Sequence, residues 1–204
     1  MAENTTTKKK KGGILHDALI LFAITIVAAL ALAFVSQITE GPIAQAKEQK
    51  KLDAYRAVIS GAESFEEVED MEKLCSGSSE ELTAKGFDKI SVSEVCRALD
   101  ADGSAVGYVL YVLSNGYGGQ ITTVVGLGTD FKVLSMSVVE HGETPGFGAK
   151  CTDPEFSAQF SGADETLDGI DGISGATYTT NAMFGTVRGA ISFAKTHFGG
   201  GDAE

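Results

Sequence analysis

The residues with the most chemistry to offer in this 204-residue sequence form one run near its end. They are Asp171-Gly172-Ile173-Ser174-Gly175-Ala176-Thr177, continued by Tyr178-Thr179-Thr180-Asn181. Small residues let another molecule come close to the backbone. Hydroxyls stand just before a helical apolar pattern, where free N–H groups and the positive end of a helix dipole favour a phosphate. The residue types alone leave a plainer reading open, and it is the commoner one: Ser, Thr and Asn are ordinary helix caps, and Gly-rich turns are frequent.

Two other segments have the types for a ligand contact. His141-Gly142-Glu143-Thr144-Pro145-Gly146-Phe147-Gly148 follows a strand-like stretch. Pro145 fixes one dihedral, while Gly146 and Gly148 permit a tight loop whose backbone can meet a planar ligand. Gly116-Tyr117-Gly118-Gly119 precedes another strand-like stretch, and Tyr117 can serve either a ligand or the core. Ser174 with His141 and Glu143 has the residue types of a hydrolytic triad, but Ser174 lacks the G-x-S-x-G setting of a nucleophile elbow. Cys75, Cys96 and Cys151 form no C-x-x-C pair and have no His at metal-ligand spacing, so no metal site is expected. Pairing of Cys75 with Cys96 and three separate thiols both stay open. No dinucleotide fingerprint and no Cys cluster occur, so neither an NAD site nor an iron–sulfur site is expected in this chain.

The elements that must position these residues are legible from pattern. Alternation over 89–99 and 105–113, with Asp102-Gly103 between, predicts a hairpin, and 121–127 and 133–139 predict two further strands. Short connections between consecutive strands suggest an antiparallel meander. Met183, Val187, Ala190, Ile191, Ala194 and Phe198 recur at helical spacing and make one apolar face. A sheet covered by helices, of α+β class, is the expected architecture. Residues 61–86 are acidic, rich in Gly and Ser, and read as loops with one short helix.

Residues 18–35 are apolar without a charge, and 18 residues as a helix reach roughly 27 Å at about 1.5 Å each. The run exceeds a signal-peptide core, and Ala29-Leu30-Ala31 lies inside it rather than after it, which favours an anchor over a cleaved leader. Lys8, Lys9, Lys10 and Lys11 precede the run and hold the N-terminus on the cytoplasmic side. Pro42 can open a second helix, reaching about Ser60, with no chemistry of its own. The sequence thus divides into a basic N-terminus (1–13), a membrane helix (14–38), a stalk helix and loops (39–86) and a folded domain (87–204). Residues 1–35 carry +2, leaving −14 for the remainder of a chain whose total is −12. So acidic a domain repels phosphate backbones, and nucleic acid is not an expected partner.

The run 171–177 resembles the D-G-x-S/T-G-A-T signature of FMN-binding domains that carry a covalent flavin. The family includes the G subunit of the Rnf complex and the C subunit of the sodium-pumping NADH:quinone reductase. The segments 141–148 and 116–119 are similar to the family's H-x-E-T-P-G-L/F-G and G-Y-G-G, and the three occur in family order behind a membrane anchor. The short chain resembles the Rnf subunit more than the quinone-reductase subunit. The resemblance covers about 14–198, with 61–100 not diagnostic.

What the resemblance implies is specific. A flavin transferase, using FAD and Mg²⁺, would join FMN through its phosphate to Thr177. Asp171, Ser174, Gly175 and Ala176 would serve recognition and close approach, and Glu143, Thr144, Gly146 and Tyr117 are candidate flavin contacts. Thr179 and Thr180 rank below Thr177 because they stand outside the signature's last position. The chain would relay electrons on the outer membrane face among other subunits of an Rnf-type complex, in contact with lipid, with no acid–base catalysis of its own. The rival classes, a hydrolase and a non-redox anchored module, both predict a colourless protein.

Overall fold

The computed structural model describes residues 13–199. The lysine cluster at 8–11 and the basic segment 1–12 lie outside them. The chain divides into two compact units between Glu48 and Gln49.

In the N-terminal unit the apolar run is helical, as part of α1 (Ile14–Val58). Leu19, Ile20, Leu21 and Phe22 are all exposed. At 100° per residue, four in succession cover the whole circumference, so this segment is apolar on every side rather than amphipathic. It is long and apolar enough to cross a membrane. Pro42 does not open a new helix: it lies inside α1. The helix tolerates it at the loss of one backbone hydrogen bond.

In the second unit the last turns of α1 lead to β1 (Ser64–Glu67), α2 (Met71–Ser76), α3 (Ser78–Ala84), β2 (Ile90–Leu99), β3 (Ala105–Asn115), β4 (Gln120–Gly128) and β5 (Val133–His141). A 3₁₀ turn (Gly148–Thr152), α4 (Pro154–Ala158) and α5 (Thr177–Phe198) complete it. The five strands form one antiparallel sheet in the order β1-β2-β3-β4-β5. The α+β class and the four-stranded meander are as the alternation predicts. β1 is an addition to that expectation: a short acidic strand at the sheet edge, paired with the end of β2 through Ser64↔Leu99 and Glu67↔Cys96. The segment 61–86 also holds two short helices rather than one.

Each face of the sheet has its own core. One buries Leu110, Val112, Ile121 and Val125 under the α5 residues Met183, Val187, Ala190, Ile191 and Ala194, the apolar face predicted from spacing. The other packs Val109 and Val124 beneath Ala54, Tyr55 and Val58 of α1. The cysteines divide between them: Cys96 belongs to the second core, whereas Cys75 packs against the first and Cys151 is buried within it. All three are free thiols, and pairing Cys75 with Cys96 would have to cross the sheet. Burial pushes each up to about 11.

Antiparallel pairing brings the motif loops together. Ile121 pairs with Ser114 on one side and with His141 on the other. The turn 116–119 and the chain leaving β5 therefore emerge side by side at one end of the sheet.

Candidate functional site

A recess of about 500 Å³ opens at that end. It is lined by Tyr117, Glu143, Thr144, Phe147 and Gly148 from the two sheet loops, and by residues 175–179 at the start of α5. Tyr117 and Tyr178 are each 74% exposed, and their ring centroids are 6.2 Å apart, so together they form an open aromatic rim.

The signature loop is pinned at both ends. The Asp171 N–H donates to Gln159 Oε1 at 2.8 Å. Thr180 Oγ1 accepts from the Ile173 N–H at 2.9 Å and donates to the Ala176 carbonyl at 3.0 Å. Gly175 turns the chain in the left-handed region, at φ 76, where a side chain would be strained. The loop ahead of it is braced from α5: Arg188 donates from Nε to the Glu165 carbonyl and from Nη2 to the Thr166 carbonyl. The helix then begins at Thr177 with no side-chain cap, leaving its first N–H groups directed at the recess end.

Glu143 organises the interior of the site. It is 5% exposed. Its Oε1 accepts from the Gly118 N–H at 2.9 Å, and its Oε2 from the Thr179 hydroxyl at 2.6 Å. One carboxylate thereby joins the β3–β4 turn, the loop after β5 and the first turn of α5. The glycines around it follow from its size: a Cβ at Gly116 would collide with Oε1, and one at Gly148 with Oε2.

The three threonine hydroxyls at the start of α5 differ sharply. Thr179 is buried and spent on Glu143, and Thr180 is buried and spent on the signature loop. Thr177 is exposed and lines the recess, and its hydroxyl has no hydrogen bond among the described residues.

Of the residues singled out from sequence, Tyr117, Glu143, Thr144, Gly175, Ala176 and Thr177 meet in this recess. Asp171 and Ser174 do not: they line a separate, smaller recess with Lys150, Asp153 and Gln159. Gly146 supplies a left-handed turn at φ 79 rather than lining. Ser174 and Glu143 thus face different recesses, and His141 Nδ1 accepts the backbone N–H of Glu143, which leaves no assembled triad. Tyr178 and the inward role of Thr179 are not evident from sequence; adjacency to Thr177 is their only signal there.

Residues 116–192 match the FMN-binding domain family, a span that contains the whole lining of the recess. Residues 8–58 match the RnfG N-terminal region. Over 180 residues the chain is 31% identical to the G subunit of the ion-translocating oxidoreductase complex of Methanosarcina acetivorans, covering 84% of this chain and 88% of that one. The chain belongs to the family of these G subunits.

Another member of the family is similar to the same degree. The G subunit of the Na⁺-translocating ferredoxin:NAD⁺ oxidoreductase complex of Acetobacterium woodii is 31% identical over 189 residues, 85% of this chain and 87% of that one. Among solved structures, the crystal structure of Shewanella oneidensis NqrC aligns with a TM-score of 0.41 at 25% identity, over 50% of this chain and 60% of that one. For a chain of this family with an FMN-binding domain, the recess has suitable chemistry. It offers aromatic rims for a planar ring, an uncapped helix start for a phosphate, and a free hydroxyl between them.

Proposed function

We propose that this chain is a membrane-anchored electron-transfer subunit of an Rnf-type ion-translocating oxidoreductase complex, with FMN joined through its phosphate to Thr177. The observation that carries the attachment point is the contrast among the α5 threonine hydroxyls. Of the threonines of α5 only Thr177 is exposed, unengaged and in the recess, whereas Thr179 and Thr180 are buried and hydrogen-bonded. The phosphoester forms when the Thr177 hydroxyl attacks the flavin-side phosphorus of FAD: the bond to AMP breaks, AMP leaves, and the hydroxyl proton is released. A flavin transferase with Mg²⁺ supplies that step.

Within this reading the chain's own residues bind and orient. The first N–H groups of α5 would hold the phosphate, and Tyr117, Phe147 and Tyr178 would offer aromatic contacts to the ring. Asp171 and Ser174, facing the neighbouring recess, are available to the transferase rather than to the flavin. The flavin, once bound, supplies one- and two-electron chemistry, and the protein tunes it by charge, hydrogen bonds and burial.

Membrane placement rests on two supports. The N-terminal segment of α1 is apolar on every side, which suits lipid, and Lys8 to Lys11 before it favour a cytoplasmic N-terminus with the FMN domain outside. Retention explains the covalent link, since an exported domain cannot recapture a lost cofactor from a cytoplasmic pool. The other subunits of the complex supply the electron donor and acceptor. The test is flavin colour after denaturation and gel separation of the full chain made beside its transferase. Yellow fluorescence that stays with the band supports the reading, and a colourless band contradicts it.

A further inference from the structure

Glu143 is a buried carboxylate with no cationic partner among the described residues. Both oxygens are held, but by a backbone N–H and a threonine hydroxyl, and among the described residues no Lys, Arg or His meets its carboxylate. Burying a charge this way is costly, and the fold goes further by keeping Gly116 and Gly148 side-chain-free around it. The hydrogen bonds alone do not call for a charge. A glutamine of the same shape could accept from Gly118 and donate its amide to Thr179. What sets the glutamate apart from such an amide is its charge, and it lies in the wall of the recess.

We propose that Glu143 is the redox-tuning residue of this flavoprotein: its fixed negative charge lowers the potential of the flavin, and Thr179 and Gly118 hold it in place and moderate its effect. This rests on the assignment of FMN to the recess. Each electron accepted by the ring adds negative charge unless a proton follows, so a neighbouring carboxylate in a poorly solvated wall opposes reduction. The reach of that charge is visible on another group. Burial first, and then the negative charge of Glu143, push the Cys151 thiol up to about 11. Thr179, as hydroxyl donor, removes part of the carboxylate's field, so it acts in the opposite sense.

The test is a reductive titration of the full-length flavinylated chain in detergent, with covalent flavin measured by intact mass. Glu143→Gln should retain one FMN per chain while the reduced-to-oxidised ratio at a fixed ambient potential rises about tenfold, equivalent to ~30 mV for a two-electron couple. Glu143→Asp should return the potential toward that of the native chain. Thr179→Val keeps the charge and removes its donor, and should shift the couple to more negative potential. It also reads the same charge if Glu143→Gln fails to fold. A purely structural role would not move the two variants in opposite directions. Flavin retained with an unmoved potential, or both variants moving the same way, overturns this inference alone. A native chain without flavin overturns the assignment of the recess and this inference with it.

Discussion

The hydroxyl of Thr179 donates to Glu143 Oε2 at 2.6 Å, across 36 positions of sequence and out of solvent. This contact fixes which way the first turn of α5 faces. With Thr179 turned inward, Thr177, two residues earlier and about 200° away around the helix, is turned out into the recess.

Removing that donor leaves a buried carboxylate oxygen without a partner. Thr179→Val should cost about 1–3 kcal/mol of stability, read as a lowered denaturation midpoint with an unchanged slope. A midpoint within error of the native chain would mean that the contact is not maintained in solution.

Crowding around the same carboxylate predicts a second effect. A methyl group at Gly148 meets Glu143 Oε2 and Thr179 Oγ1 together. Gly148→Ala should destabilise by about 1–3 kcal/mol, and pairing it with Glu143→Ala should recover part of that loss. Simple additivity of the two substitutions would count against the collision.

At the far end of α5, Glu81 accepts from Lys85 Nζ at 2.7 Å and lies 2.8 Å from His197 Nε2. Burial alone would raise this carboxyl, but the hydrogen bonds from Lys85 and His197, with their charges, hold it below its ordinary 4.5. A depressed folded-state value gives stability that is present above 4.5 and lost as pH falls through the lower folded value. Glu81→Gln should therefore lower stability near neutrality by ~0.5–1 kcal/mol for so partly exposed a pair, read as a lower Tm. The gap to the native chain should close as the solution is taken below the ordinary glutamate range. A gap that widens in acid would reverse the assignment.

Thiol chemistry checks the orientation. Burial pushes all three native thiols up to about 11, so they react slowly with maleimide near neutrality. A cysteine at the exposed turn position Asp102 should be labelled by a membrane-impermeant maleimide in intact cells, while the native chain is not. Labelling only after lysis would put the domain on the cytoplasmic side.

How much of this is legible in the sequence depends on the range of the interactions. The four central strands follow from alternation and the Asp102-Gly103 turn, because period and turn chemistry are local. The core face of α5 follows from spacing for the same reason. β1 escapes because Ser64-Phe65-Glu66-Glu67 has no apolar alternation: an edge strand pairs through its backbone. Pro42 suggests a helix start, yet α1 runs through it. Glu143 stands out in the sequence only as a candidate flavin contact implied by the family resemblance. Its burial depends on partners 25 and 36 positions away, which no local pattern announces. The signature run reads as one unit, whereas the fold divides it between two recesses.

The central claim is the bond at Thr177, and tandem mass spectrometry of the tryptic peptide 151–188 tests it most directly. That peptide carries Ser174, Thr177, Thr179 and Thr180 together. We predict a single FMN phosphoester, located on Thr177 and abolished by Thr177→Ala in a chain produced beside an active transferase. The adduct on any other hydroxyl of the peptide, or its persistence in Thr177→Ala, would contradict the account.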